Sequence, residues 1–506
     1  MYLLGYDVGS SSVKAALLEA DTGKCVGSAS SPADEMAIEA PCPGYAEQHP
    51  ELWWRHLVRA TAAVLEAASV RADHIRAIGI AYQMHGLVLV DEQGEVLRPA
   101  IIWCDSRAVP LGEDALESLG FDYCQRHLLN SPGNFTASKL AWVKAFEPST
   151  FARVDKMMLP GDWVAMRMTG AIATTVSGLS EGMLWDFADD QISAPLLRHF
   201  ELDESLLPDV VPTFGPQGSL TRAAASELGL EAETPVSYRA GDQPNNALSL
   251  NVLEPGMIAA TAGTSGVVYG VSDIARPDPR WRVNTFAHVN HASDAPRLGV
   301  LLCINGTGIL NAWLRRQICP PGTGYNAMNA AAQDVPIGSD GVLVLPFGNG
   351  AERLLENRDP GCQIHGVSFT RHQNPHLLRA AQEGIAFAFR YGFDVLGETG
   401  IEPRIVRAGS GNLFDSPIFR QALASTTGAT IELFETDGAE GAARGAGLGA
   451  GVYDSTAEAF AGLVPSALVE PDESLRSAYA DAYDRWCHRL EGSLAYHDTE
   501  TRSTCP

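Results

Sequence analysis

The chain opens on an apolar stretch at residues 2–7, breaks at Gly9-Ser10-Ser11-Ser12, and resumes with apolar positions at 13–18 and a mixed run at 25–30. Short apolar runs bounded by glycine and hydroxyl residues read as strands, and two such runs joined by a tight break read as a hairpin. Residues 53–68 carry apolar side chains at helical spacing, and 74–81 are again apolar and β-branched, ending at Gln83-Met84-His85-Gly86. The first part therefore predicts a β-β-β-α-β run.

Near Val236 the pattern restarts. Residues 236–240 form a short strand pattern ending at Gly241-Asp242, 257–261 and 267–271 flank the turn Ala262-Gly263-Thr264-Ser265-Gly266, and 384–396 has helical spacing. A strand at 404–408, the turn Gly409-Ser410-Gly411-Asn412 and a helix over 416–426 complete the series. Two glycine-and-hydroxyl hairpins about 250 residues apart, each followed by helix, strand and polar loop, predict a diverged duplication, two α/β halves with a cleft between them, with two unrelated α/β domains as the alternative. The polar residues 497–506 lack periodicity and predict a frayed tail.

Composition narrows the function. At 506 residues, with 45% hydrophobic and 19% charged side chains, the chain is globular and long enough for two or three domains. A net charge of −25 excludes binding to nucleic acid or an anionic membrane through a basic surface. Any phosphate must then be held by backbone amides, hydroxyls and a metal ion. No apolar run approaches the roughly 20 residues of a membrane span, and no basic leader precedes residue 2, so a cytoplasmic protein is expected. Nine scattered cysteines without a Cys-x-x-Cys pair predict reduced thiols.

Asp7-Val8-Gly9-Ser10-Ser11-Ser12 has the parts of a phosphate cradle: converging amides at a glycine turn, three hydroxyls, and an aspartate able to hold magnesium through water. Taken alone, such a turn is more often an ordinary hairpin with serines for local hydrogen bonds. Its partner at Gly263-Thr264-Ser265-Gly266 favours a nucleotide clamped by two loops. Asp242, at a strand end, is placed to accept a hydroxyl proton or merely to cap a helix. Gln83, Met84 and His85 put polar donors at the end of an apolar strand, and Asp105 and Arg107 follow residues 101–103 in the same fashion. Gly409, Ser410, Gly411 and Asn412 let backbone approach a flat base.

Together Asp7-Val8-Gly9-Ser10-Ser11-Ser12-Val13-Lys14, Gln83-Met84-His85-Gly86, Trp103-Cys104-Asp105-Ser106-Arg107, Gly241-Asp242, Gly263-Thr264-Ser265-Gly266 and Gly441-Ala442-Ala443-Arg444-Gly445-Ala446 resemble, in order and spacing, the FGGY carbohydrate kinases. Gln-Met-His-Gly, with Glu47-Gln48-His49-Pro50, is most similar to the xylulokinases among them. The resemblance implies a duplicated actin/hexokinase-like (ribonuclease H-like) fold with an interdomain cleft that closes on its ligands. It implies transfer of the ATP γ-phosphate to a ketopentose, giving xylulose 5-phosphate, with ribulose or glycerol as alternative acceptors and a nucleotide-dependent sensor as the alternative class. Carried over, Asp242 is the base. Asp7 and Asp242 attend Mg2+. Gln83, Met84, His85, Asp105 and Gln243 meet the sugar. Ser10, Ser11, Ser12, Gly263 and Thr264 hold phosphates, and Gly409, Ser410, Asn412 and Trp313 border the adenine. The expected domains are 1–240 for sugar, 241–465 for ATP, and 466–506 as terminal helix and tail, with a homodimer as the oligomer suggested by relatives.

Overall fold

The computed structural model describes residues 1–503, with side chains through Tyr496. Strands β1 (Tyr2–Val8), β2 (Val13–Glu19) and β3 (Cys25–Ser31) precede helix α1 (Pro50–Ala68), β4 (Ile75–Tyr82), helix α2 (Thr136–Phe146), β5 (Val236–Gly241) and helix α3 (Asp242–Ser249). The first sheet runs in the order β5-β4-β1-β2-β3, with β1 antiparallel to β2 and parallel to β4. Leu4, Tyr6 and Val8 face a core that includes Trp53, Leu57 and Val64 of α1, while Leu3 faces the other side. Burial on both faces explains why β1 reads as a continuous apolar run rather than an alternating one.

The second series is β6 (Met257–Ala262), β7 (Gly266–Ser272), β8 (Asn284–Ala287), β9 (Leu298–Ile304), helix α4 (Gly308–Gln317), helix α5 (Asn374–Glu398), β10 (Ile405–Gly409), helix α6 (Pro417–Thr427) and β11 (Thr430–Phe434). After helix α7 (Gly438–Gly449) come β12 (Ala467–Val469) and helix α8 (Arg476–Ser503). The sheet order is β8-β9-β7-β6-β10-β11-β12. Its inner five, β9-β7-β6-β10-β11, repeat the order β3-β2-β1-β4-β5, and β6 is again antiparallel to its hairpin partner and parallel to the strand on its other side. The duplication expected from the hairpins is thus present at the level of topology.

The chain forms two compact units, 1–253 with 285–299 and 436–464, and 254–284 with 300–435 and 465–506. They differ from the linear boundaries at 240 and 465 because α7 returns to the first sheet. A Cβ on Gly5 would lie 1.9 Å from the Ala439 carbonyl oxygen, and one on Gly79 2.0 Å from that of Ala442, so glycine alone allows this helix to lie on β1 and β4. In the second unit, α5 and Trp486 of α8 fill one core, and the Trp486 indole donates to the Val344 carbonyl at 2.9 Å.

The tail expectation fails over much of its length, since α8 continues to Ser503; residues 504–506 lie outside the described part. No helix among the described residues is long and apolar enough to cross a membrane. None of the eight cysteines among them forms a disulfide.

Candidate active site

In the first unit the strand ends of β1, β4 and β5 deliver Asp7, Gln83-Met84-His85 and Asp242. Register explains the gathering, since Val8 pairs with Tyr82 and Tyr82 with Gly241 across neighbouring parallel strands. The turn after β1 is closed by the Gly9 amide donating to the Ser12 carbonyl at 3.0 Å. Gln48 donates to the Ser10 carbonyl at 2.7 Å, and the Trp103 indole to the Ser10 hydroxyl at 3.2 Å.

Asp7 and Asp242 are half-buried carboxylates. Burial, then the charge of Asp437, pushes the Asp7 carboxyl up to about 6, against the pull of Lys14. Burial, then the charge of Asp7, pushes Asp242 up to about 7, and donors from the Gln243 amide and side chain oppose the shift. Gln243 therefore serves Asp242 directly. Lys14 pairs with Asp437 at 2.5 Å.

The Met84-His85 loop lies beside Asp242: a Cβ on Gly241 would lie 2.6 Å from Met84 Cγ and 2.8 Å from Glu181 Oε2. His85 adopts a φ of 60°, unusual for a non-glycine residue, and its Nδ1 lies 3.0 Å from the Glu181 carbonyl oxygen. A carbonyl only accepts, so Nδ1 carries the proton. The ring packs on Phe135 and Phe286, with centroids at 4.8 and 5.2 Å. Both side-chain amide atoms of Gln83 are buried without a partner among the described residues, and the same holds for the Glu181 carboxylate oxygens by hydrogen-bond geometry. Burial raises Glu181 well above the usual carboxylate range, opposed by the nearby Tyr82 hydroxyl.

Asp105, expected among the sugar contacts, is fully buried and already engaged. Its Oδ2 accepts from the Ala46 amide at 2.6 Å and from Arg107 Nη2 at 2.7 Å, its Oδ1 from the Arg107 amide at 2.9 Å, and Arg107 also pairs with Glu47 at 2.7 Å. Both oxygens are occupied by protein, so Asp105 anchors its loop.

In the second unit, the turn after β6 rests on the start of α4. The Thr307 hydroxyl donates to the Gly263 carbonyl at 3.0 Å, the Gly308 amide donates to the same oxygen at 2.8 Å, and the Ile309 amide to that of Thr264 at 3.2 Å. A cavity of about 530 Å³ lined by Gly263, Thr264, Gly308, Asn311, Asn412 and Ser416 opens here. Asn311 Oδ1 is buried in its wall without a partner among the described residues. Gly409 and Ser410 do not line it; the Ser410 amide donates to the Phe434 carbonyl at 2.8 Å and its hydroxyl pairs with Ser466. Trp313, expected with Asn412, instead lines an adjoining apolar cavity of about 510 Å³ with Leu310, Leu314, Val344 and Pro346. Two residues along a helix turn the side chain by about 200°, so Asn311 and Trp313 point to different sides of α4.

Glu181, Lys14 with Asp437, and Thr307-Gly308 were not found by sequence reasoning. Gly306-Thr307-Gly308 repeats the glycine-hydroxyl chemistry of the hairpins and could have flagged itself; Glu181 meets its partners only through the fold.

Residues 2–249 match the profile of the FGGY family of carbohydrate kinases, N-terminal domain, and residues 258–453 that of the C-terminal domain. The chain belongs to this family. The xylulose kinase of Escherichia coli K12 is 32% identical over 489 residues, 95% of this chain and 96% of that protein. That of Bacillus subtilis 168 is 30% identical over 473 residues, 90% of each chain. The crystal structure of xylulose kinase from Rhodospirillum rubrum superposes with a TM-score of 0.87 at 25% identity, covering 98% of this chain and all of that one. The protein is thus a sugar kinase with the two-domain α/β fold of the FGGY enzymes, a family that uses ATP.

Proposed function

We propose that this FGGY kinase phosphorylates D-xylulose at the expense of ATP and Mg2+, yielding D-xylulose 5-phosphate, in the cytoplasm. The reading is carried by Asp242: a carboxylate at a strand end, next to the Met84-His85 loop, whose carboxyl titrates near 7. A base of that basicity can take a sugar hydroxyl proton at neutral pH. The names of its relatives support xylulose over ribulose or glycerol.

In this reading the sugar lies against Met84 and His85, with Gln83 offering its unpartnered amide and Asp242 facing the reacting hydroxyl. As the sugar oxygen attacks the γ-phosphorus, the bond from that phosphorus to the β,γ-bridging oxygen breaks and ADP leaves, while Asp242 takes the hydroxyl proton. Little further covalent help is needed, because positioning and charge neutralisation dominate phosphoryl transfer. The purine enters the cavity walled by Asn311 and Asn412, with the phosphates on the Gly263-Thr264 turn. Asp7 and Asp242 fit a divalent cation: both are oxygen donors, and the charge of one raises the other's pKa, a repulsion that a cation relieves. When bound, Mg2+ neutralises charge on the phosphates. Asp105 has no part in this site.

The test is direct. Purified protein is offered ATP, Mg2+ and a panel of ketoses and polyols, and ADP release is followed with mass analysis of the product. A kcat/KM for D-xylulose above those for ribulose and glycerol is expected; preference for another acceptor overturns the substrate assignment.

A further inference from the structure

Lys139 of α2 is fully buried, and the nearby Asp105 carboxylate pairs with Arg107 at 2.7 Å rather than with its ammonium. Its Nζ donates instead to two main-chain carbonyls, of His85 at 2.8 Å and of Ile102 at 3.0 Å. Burial of a charge without a counter-ion is unfavourable and persists only where its hydrogen bonds matter. Burial lowers the Lys139 pKa to about 7, with Asp105 the main opposing charge.

The neighbours of Lys139 on the same segment close on the same two loops. Thr136 Oγ1 donates to the Gly86 carbonyl at 3.3 Å, Asn134 donates to the carbonyl of Asp105, and the Phe135 ring packs edge-on to His85. His85 is thereby fixed from two sides, its carbonyl by Lys139 and its Nδ1 by the Glu181 carbonyl, and held at positive φ. A residue in so sparsely populated a conformation stays there only when its surroundings over-determine it. The second carbonyl belongs to the residue before Trp103, which donates to Ser10, so one ammonium links the His85 loop to the chain that supports the turn after β1.

We propose that Lys139 is a positioning residue for sugar binding, which acts by holding the His85 carbonyl and joining the loops of residues 83–86 and 102–107. The proposal rests on the reading of His85 as a sugar contact. Its consequence is specific: loss of Lys139 loosens His85, so sugar affinity suffers while nucleotide affinity does not.

The test is a double-mutant cycle with H85A, K139M and both, read as sugar KM, ATP KM and kcat. K139M is expected to raise the sugar KM roughly tenfold, as for loss of one charge-assisted hydrogen bond. Its ATP KM stays within about twofold and its kcat within about threefold. The double variant is expected to match H85A alone within about twofold, since residues acting through one contact are not additive. If H85A raises the sugar KM and K139M does not, or the two effects multiply, the proposal fails while the sugar site stands. If H85A leaves the sugar KM unchanged, both fail. K139Q, which keeps an N–H donor, serves where K139M does not fold: an intermediate rise in sugar KM supports the role, and equal rises for sugar and ATP reject it.

Discussion

A Cβ on Gly438 would lie 2.4 Å from Oδ2 of Asp7. The carboxylate of the first strand thus rests against the first residue of α7, more than four hundred residues later, and only glycine leaves room for it. The Asp437 side chain caps this helix by accepting from the Glu440 amide. G438A is therefore expected to turn Asp7 aside while the helix persists. The expected outcome is a fall in kcat of at least about tenfold, one hydrogen bond's worth or more, with far-ultraviolet circular dichroism unchanged. Full activity in that variant would show that the position of Asp7 is unimportant.

Asp242 is the sharper case. D242N keeps the shape of the side chain but cannot take a proton, and removal of a general base costs typically 10²- to 10⁴-fold in rate. ATP binding, measured by calorimetry, should remain within about tenfold. Near-normal sugar phosphorylation by D242N would reject Asp242 as the base.

The same carboxyl predicts two pH effects. With sugar limiting, kcat/KM should decline on the acid side of about 7, where Asp242 becomes protonated, and this limb should move to lower pH as Mg2+ is raised. For stability the sign is the reverse of an ordinary salt-bridged aspartate. The folded carboxyl at about 7 lies above its unfolded value near 4, so the folded state binds the proton more tightly, and the stabilisation is lost as pH rises through about 7. D242N escapes that loss. Its Tm should exceed that of the wild type by a few degrees at pH 8 and approach it near pH 4 to 5; a difference independent of pH would contradict the burial argument.

Much of this architecture was legible in the sequence because it depends on local pattern. The strands at 2–8, 13–19 and 257–262 are apolar runs with glycine-hydroxyl turns, and their recurrence announced the duplicated order of the two sheets. What escaped depends on approach between distant segments. Gly5 and Gly79 look like ordinary strand glycines until α7 is laid on them, and that packing makes the compact units discontinuous. Asp105 looked like a ligand because it follows the apolar residues 101–103 as Gln83 to His85 follow their strand, whereas its oxygens are taken by Ala46 and by Arg107, the latter also stacked on Tyr45 at 3.7 Å. Lys139 carried no signal at all, since a lysine in a helix is usually solvated.

Two cavities of the second unit separate Gly263, expected with the phosphates, from Trp313, expected with the base. A Cβ on Gly308 would lie 2.2 Å from the Gly263 carbonyl oxygen, a backbone atom with no rotamer to escape into. G308A must therefore shift the Gly263-Thr264 turn or the start of α4, and overpacking of this kind costs about 1 to 3 kcal/mol, which corresponds to roughly five- to 150-fold in ATP affinity if the strain falls on the bound state. Trp313 lines the other cavity, so W313A should leave the ATP dissociation constant within about threefold, although it exposes apolar surface. Titration of both variants with ATP decides between the two cavities. A large loss in W313A with little change in G308A would move the purine to the apolar side of α4, because only there could the indole, and not the glycine turn, form part of its wall.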